Sequence, residues 1–236
     1  MEGANYVIAG GTKGIGRDLA DRLLQDGGRL VILSREPVAD WHPDVTQHQV
    51  DFSDPNATIP PAWIPASLRG VAYCPGSINL RSFRSLKPED FRRDFEVNVI
   101  GAVKFLQACA AGLKLGSSQS TSSVVLFSSV AAQRGMGMHA SIASSKSAIE
   151  GMTRSLAAEW SPGIRVNCVA PALIETTLSQ RFLDRPERRQ QMDESYPLKR
   201  IGQTGDVAEL SRFLLTDRSG WMTGQVLGVD GGLSTI

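Results

Sequence analysis

The sequence predicts a doubly wound α/β domain, a parallel sheet with helices on both faces, and three observations carry that prediction. Short apolar runs rich in β-branched residues recur along the chain. Segments of helical period separate most of them. The runs are apolar throughout instead of alternating, as strands covered on both faces must be. With 236 residues, 42% of them hydrophobic, the chain has enough mass for one domain with a substantial core.

The first run, NYVIAGG at 5–11, ends in glycines. RDLADRLLQDGG at 17–28 then places Leu19, Leu23 and Leu24 on one helical face before a glycine stop, which reads as strand, turn and helix. RLVILS at 29–34, GVAYCPG at 70–76, SSVVLFSS at 122–129 and IRVNCVAP at 164–171 are further strands. Between the second and third of these, PEDFRRDFEVNVIGAVKFLQACAAGLK at 88–114 is a long helical segment, apolar enough to be buried all round over much of its length. Residues 54–66 carry four prolines, so an irregular connection is expected there in place of a crossover helix. GSSQSTSS at 116–123 reads as a solvated surface turn.

The net charge is +1, with 25 basic and 24 acidic residues interspersed, so there is no electrostatic footprint for nucleic acid or an anionic membrane, and small-molecule chemistry is favoured. Cys74, Cys109 and Cys168 are scattered and lack metal-ligand spacing, which suits buried thiols in a reducing cytoplasm, and no metal is expected. MEGANYVIAGG has no basic start, and no apolar run approaches the roughly 18 residues of a membrane span, so a cytoplasmic protein is expected.

Gly10, Gly14 and Gly16 in AGGTKGIG fall where the first strand turns into the first helix. Glycine there lets the backbone turn tightly and lets a pyrophosphate approach the helix N-terminus, whose free N–H groups attract anions, as in a Rossmann-type domain. The second strand ends in Ser34 and Arg35, with Lys13 in the glycine turn and no acid at the strand end. Two cations facing one 2′-phosphate predict NADP(H) over NAD. In the competing reading both are solvated surface charges.

Together these motifs resemble the short-chain dehydrogenase/reductase family over nearly the full chain. GGTKGIG is similar to its cofactor loop, which assigns Gly10, Thr12, Lys13, Gly14, Ile15 and Gly16 to cofactor binding. Asp51 in QVDFSD, with Phe52 beside it, matches the acid that contacts adenine, and Cys74, Pro75 and Gly76 match the end of the family's Asn-Asn-Ala-Gly element under the adenosine. Asn98, Ser129 and Lys146 fall on the catalytic asparagine, serine and lysine. Pro171, Ile174 and Thr176 fall in the segment that closes over nicotinamide, where Ala172 replaces the usual glycine, and MTGQVLGVDGG at 222–232 resembles the last strand. The resemblance implies NADPH-dependent reduction of a small-molecule or acyl-thioester substrate. It also implies a homotetramer or homodimer formed through the helices carrying Asn98 and Lys146 and the C-terminal strand.

One family residue is missing. A tyrosine belongs four residues before Lys146, and that position holds Ile142, which has no proton to give. The family tyrosine donates to the carbonyl oxygen as hydride arrives at carbon. If the helix already runs at 139, His139, Ile142 and Lys146 share one face at i, i+3 and i+7. Related enoyl-thioester reductases place their active tyrosine seven residues before the lysine, which makes His139 the candidate donor, since imidazole titrates near neutral pH. Its competing reading is an exposed polar residue at a helix start. Hydride transfer to the β-carbon of an enoyl thioester would need only stabilisation of the enolate oxygen, so carbonyl and alkene reduction both stand.

Residues 173–200 form the expected substrate cover. Its Arg181, Arg185, Arg188 and Arg189 suit either an acidic carrier or coenzyme A phosphates, or a solvated face balanced by Asp184, Glu187, Asp193 and Glu194. Tyr196 is its lone tyrosine and a candidate for the pocket. Against the reductase stands a different class of function: a catalytically silent NADP-binding homologue with a sensing or assembly role.

Overall fold

The computed structural model describes residues 3–118 and 120–236. Seven strands form one parallel sheet in the order β3-β2-β1-β4-β5-β6-β7: β1 Asn5–Ala9, β2 Arg29–Ser34, β3 Val45–Gln49, β4 Gly70–Tyr73, β5 Ser122–Phe127, β6 Ile164–Pro171 and β7 Val226–Val229. The helices are α1 Gly14–Gln25, α2 Pro88–Phe95, α3 Gly101–Gly116, α4 Ala140–Trp160, α5 Pro186–Ser195 and α6 Thr204–Leu215. β1 pairs with β2 on one side and β4 on the other, Val7 facing both Val31 and Val71. This reversal of strand order opens a crevice at the carboxyl ends of the strands, the usual ligand position in open α/β sheets.

Strand period decides how the core divides. Val7 and Ala9 join Phe105, Cys109, Leu113 and Ile149 under α3 and α4, while Tyr6 and Ile8 join Leu19, Leu23, Val207 and Leu214 under α1 and α6. Both faces are therefore apolar, as the unbroken runs required. The proline-rich stretch contains only a short 3-10 turn at Pro61–Trp63, so the β3–β4 connection has no α-helix, as its prolines dictate. The stretch at 116–123, expected as a solvated turn, is one only in its middle, because Gly116 closes α3 and Ser122 and Ser123 are buried in β5; its Gln119 lies outside the described residues, as do Met1 and Glu2.

The predicted helix at 88–114 is continuous from 88 to 116 but not uniform: one wide π turn, Glu96–Ile100, separates α2 from α3. By length and hydropathy this run could cross a membrane, a possibility the sequence reading had dismissed. Its apolar residues Ala102, Phe105, Leu106, Cys109 and Leu113 are instead packed in the core.

Candidate active site

The anion end is built by the turn between β1 and α1. Gly10 has φ +72°, and a Cβ added at Gly16 would sit 2.3 Å from the Gly10 carbonyl oxygen, so helix and turn approach too closely for any side chain there. Lys13 precedes α1 without a side-chain cap, and the first turn holds no acid. The first N–H groups are thus left for an anion, and the cradle fits a dinucleotide pyrophosphate. Ser34 and Arg35 lie at the end of β2, Ser34 buried and Arg35 exposed. Glu36, which sequence reading passed over, holds Lys13 at 2.5 Å. Asp51 accepts from the Ser53 backbone N–H and hydroxyl, which hold its carboxyl below its usual value, and Phe52 beside it is buried. Cys74 donates its backbone N–H to Ala9 and is followed by Pro75, whose ring lies against Gly10.

The other end of the crevice gathers the residues expected to do chemistry. A cavity of about 310 Å³ is lined by Gly76, Ser129, Ile142 and Lys146, with Ile15, Pro171, Ile174 and Thr176 also on its wall. Lys146, only 8% exposed, donates from Nζ to the Phe127 carbonyl at 2.9 Å. Burial pulls its ammonium down to about 8, with Cys168, Cys74 and Asp94 working the other way. Asn98 sits in the π turn, its amide nitrogen donating to the Asp94 carbonyl at 2.8 Å and to the hydroxyls of Ser77 and Ser145. Its buried Oδ1 has no partner, and a Cβ placed on Gly76 would lie 3.5 Å from both that oxygen and Lys146 Nζ. Ser129 Oγ accepts from the Ala131 N–H, which leaves the hydroxyl proton available to a ligand oxygen.

Ile142 lies in α4 one turn before Lys146, 5% exposed, and presents only carbon to the cavity. His139 also lines the cavity, but α4 begins at Ala140, so His139 precedes the helix and its ring Nδ1 lies 2.6 Å from the Gly137 carbonyl. Tyr196 reaches the wall as well, with its hydroxyl accepting the Leu173 N–H, and burial raises its phenol pKa.

The segment at 173–200 packs over this cavity through Leu178, Phe182 and Met192. Its arginines are largely engaged: Arg189 grips Glu175 through two bonds of 2.5 and 2.7 Å, Arg188 faces Asp184 at 3.6 Å, and Arg181 donates to the Ile78 carbonyl. Arg185 has no ion pair among the described residues. Sequence reading missed these apolar cover residues, together with Ile78 and Leu80, because a lone apolar residue in a polar loop carries no periodic signal.

A family model described as enoyl-(acyl carrier protein) reductase matches residues 67–234. The chain is 30% identical over 244 residues to L-xylulose reductase of Bos taurus, covering 98% of this chain and 97% of that one. It superposes on a short-chain dehydrogenase family protein from Francisella tularensis with a TM-score of 0.87 at 26% identity, covering 99% and 100% of the two chains. It also superposes on ElxO with NADP bound with a TM-score of 0.85 at 25% identity, covering both chains fully. Likeness over the whole length, joined to a glycine turn at one end of the crevice and a buried lysine at the other, makes this oxidoreductase a member of the short-chain dehydrogenase/reductase family.

Proposed function

We propose that the protein is an NADPH-dependent reductase of an apolar ketone or acyl-chain substrate, working with Ile142 where the family resemblance places a tyrosine. The observation that supports this most is a single cavity in which Lys146 and Ser129 share a wall with Ile78, Leu80, Leu178 and Phe182. A few polar groups gathered beside a mainly apolar surface suit a substrate with one oxygen to be fixed and a carbon skeleton to be buried.

Bound NADPH would supply the hydride. On this reading Gly10, Thr12, Gly14, Ile15 and Gly16 form its phosphate cradle, Lys13, Ser34 and Arg35 meet the 2′-phosphate, and Asp51, Phe52, Cys74 and Pro75 border the adenosine. Gly76 carries the adenosine element on toward Lys146, and Pro171, Ile174 and Thr176 border the nicotinamide. The bound NADP of ElxO agrees with this choice. Ser129 donates its hydroxyl proton toward the substrate oxygen, and Lys146 supplies positive charge beside it. Residues 173–200 cover the substrate and exclude water. His139 is the sequence-derived candidate for the proton donor.

Likeness to L-xylulose reductase supports carbonyl reduction, and likeness to the enoyl-(acyl carrier protein) reductase family supports reduction of a conjugated thioester. Exposed Ile100 at the end of the π turn, exposed Leu115 on α3 and fully exposed Trp221 before β7 support association of copies through those elements, as a homotetramer or homodimer. The test is NADPH oxidation with a panel of ketones, quinones, β-ketoacyl thioesters and enoyl thioesters. Steady turnover with any of them upholds the reductase. Tight NADPH binding without turnover across the panel replaces it with a silent NADP-binding protein, the reading that Ile142 itself favours.

A further inference from the structure

Asp94 is the least expected group near this cavity. It lies on α2, is 1% exposed and faces no arginine or lysine in an ion pair among the described residues. Two hydroxyls hold its carboxylate: Ser77 Oγ donates to Oδ1 at 2.6 Å and Ser141 Oγ donates to Oδ2 at 2.5 Å. Burying a carboxyl group is costly, and the cost is met only in part by two neutral donors. A cross-link between α2 and α4 needs no acid, because an amide would make the same two contacts.

The position of Ser77 gives the acid a use. Ser77 lines the cavity with Lys146, Ser129 and Ile142, while Asn98 Nδ2 donates to its oxygen at 3.0 Å. Its hydroxyl therefore connects the cavity to Asp94 through one short hydrogen bond. Ser141, the other partner, immediately precedes Ile142 and is fully buried, so it fixes the carboxyl group from the side away from the ligand.

We propose that Ser77 and Asp94 form a hydroxyl–carboxyl relay that protonates the substrate oxygen in place of a tyrosine at residue 142. The inference rests on the reductase reading above. Solvent first loads a proton onto the Asp94 carboxylate through Ser77; as the carbonyl carbon then gains the hydride supplied by NADPH, the carbonyl oxygen takes the Ser77 hydroxyl proton and Ser77 Oγ takes the proton loaded on Asp94. An O–H bond forms on the product as the Asp94 O–H bond breaks, leaving an alcohol and a carboxylate. Solvent returns a proton to Asp94 through Ser77 once the product has left. His139 serves this purpose less well, being half-buried, outside the helix and engaged with the Gly137 carbonyl, whereas Asp94 is held from two sides in a water-poor site.

The test uses phenanthrenequinone, an apolar diketone, with NADPH and the full chain. Ser77→Ala is expected to lower kcat by about 100-fold or more while NADPH affinity, read by nucleotide fluorescence, stays unchanged. Ser77→Thr, which keeps the hydroxyl, restores most of the rate. Asp94→Asn keeps the hydrogen bonds but not the exchangeable proton, so it loses kcat with little change in melting temperature. The decisive arm is Ile142→Tyr: the phenol makes Ser77 dispensable, and the double variant Ile142→Tyr with Ser77→Ala turns over like Ile142→Tyr alone. A merely structural Ser77 would not be rescued in this way, and failure of rescue overturns the relay. Loss of kcat in His139→Ala with none in Ser77→Ala also overturns it and leaves the reductase standing. An inactive wild type beside an active Ile142→Tyr does the same to the relay and favours the silent protein. If neither turns over, the reductase reading falls and the relay with it.

Discussion

Lys13 Nζ and Glu36 Oε2 are 2.5 Å apart, so the cation offered by the glycine turn is already engaged by an acid one residue beyond Arg35. The bond to Lys13 holds the Glu36 carboxyl below its usual value. A 2′-phosphate would have to take Lys13 from Glu36 and would meet that negative charge nearby. Glu36→Gln is therefore expected to tighten NADPH binding by about two- to fivefold, the scale of an exposed pair, and to leave NADH little changed. Lys13→Ala and Arg35→Ala should do the reverse. Fluorescence titration with both nucleotides checks the set, and equal responses to the two would remove these residues from the 2′-phosphate site.

Gly16→Ala should be far less tolerated than its size suggests. The added carbon meets a carbonyl oxygen of the Gly10 backbone at 2.3 Å, so α1 has to shift away from the turn. The expected loss is about 1–3 kcal/mol of stability, with weaker nucleotide binding, measured by urea denaturation and titration.

The apolar cavity makes a prediction about substrate series. Across straight-chain ketones, kcat/KM should rise about fourfold for each added methylene until the cavity is filled, following the transfer free energy of a buried methylene. Sugars and polyols should be poor substrates. Leu178→Gln or Phe182→Ser should flatten the series, and an unchanged slope would place the alkyl chain elsewhere.

Lys146 should also leave a signature in the pH dependence of folding. It stays charged up to 10.5 in the unfolded chain but only to about 8 in the folded protein. Below that window both states are charged and the burial cost is felt in full. Between the two values the unfolded chain holds the extra proton, so stability gained through this residue rises with pH. Relative to Lys146→Met, the wild type should gain about 2 kcal/mol on going from about pH 7 to about pH 9.5. Cys74, Cys109 and Cys168, all pushed up to about 12 by burial, work in the opposite sense and are common to both proteins. Urea midpoints at the two pH values read the difference.

The parts legible in the sequence were those with a local signal. Glycines at 10, 14 and 16 and apolar runs at 29–34 and 122–127 announce their own backbone geometry. β3, VTQHQ, was passed over because it is a half-exposed edge strand with little apolar content, fixed by its pairing to β2. Asp94 does not stand out in PEDFRRDFEVN, since helical period alone does not separate it from Arg92 and Arg93. Its burial depends on Ser77 and Ser141, 17 and 47 residues away in sequence. Glu36 escaped for a similar reason: its partner Lys13 is brought to it by the β1–α1 turn.

The wide turn at Glu96–Ile100 has a mechanical consequence. Gly101 reaches back five residues, to the Glu96 carbonyl, and the Asn98 side chain donates to the Asp94 carbonyl two residues before that. The amide therefore wedges two helical segments into a fixed rotational phase. Asn98→Leu would withdraw that wedge, and if the coil then tightened to ordinary pitch, α2 would swivel about its axis relative to α3. Asp94 would turn with it, out of reach of Ser77, so a change at one buried amide would disconnect an acid one helical turn away without touching it.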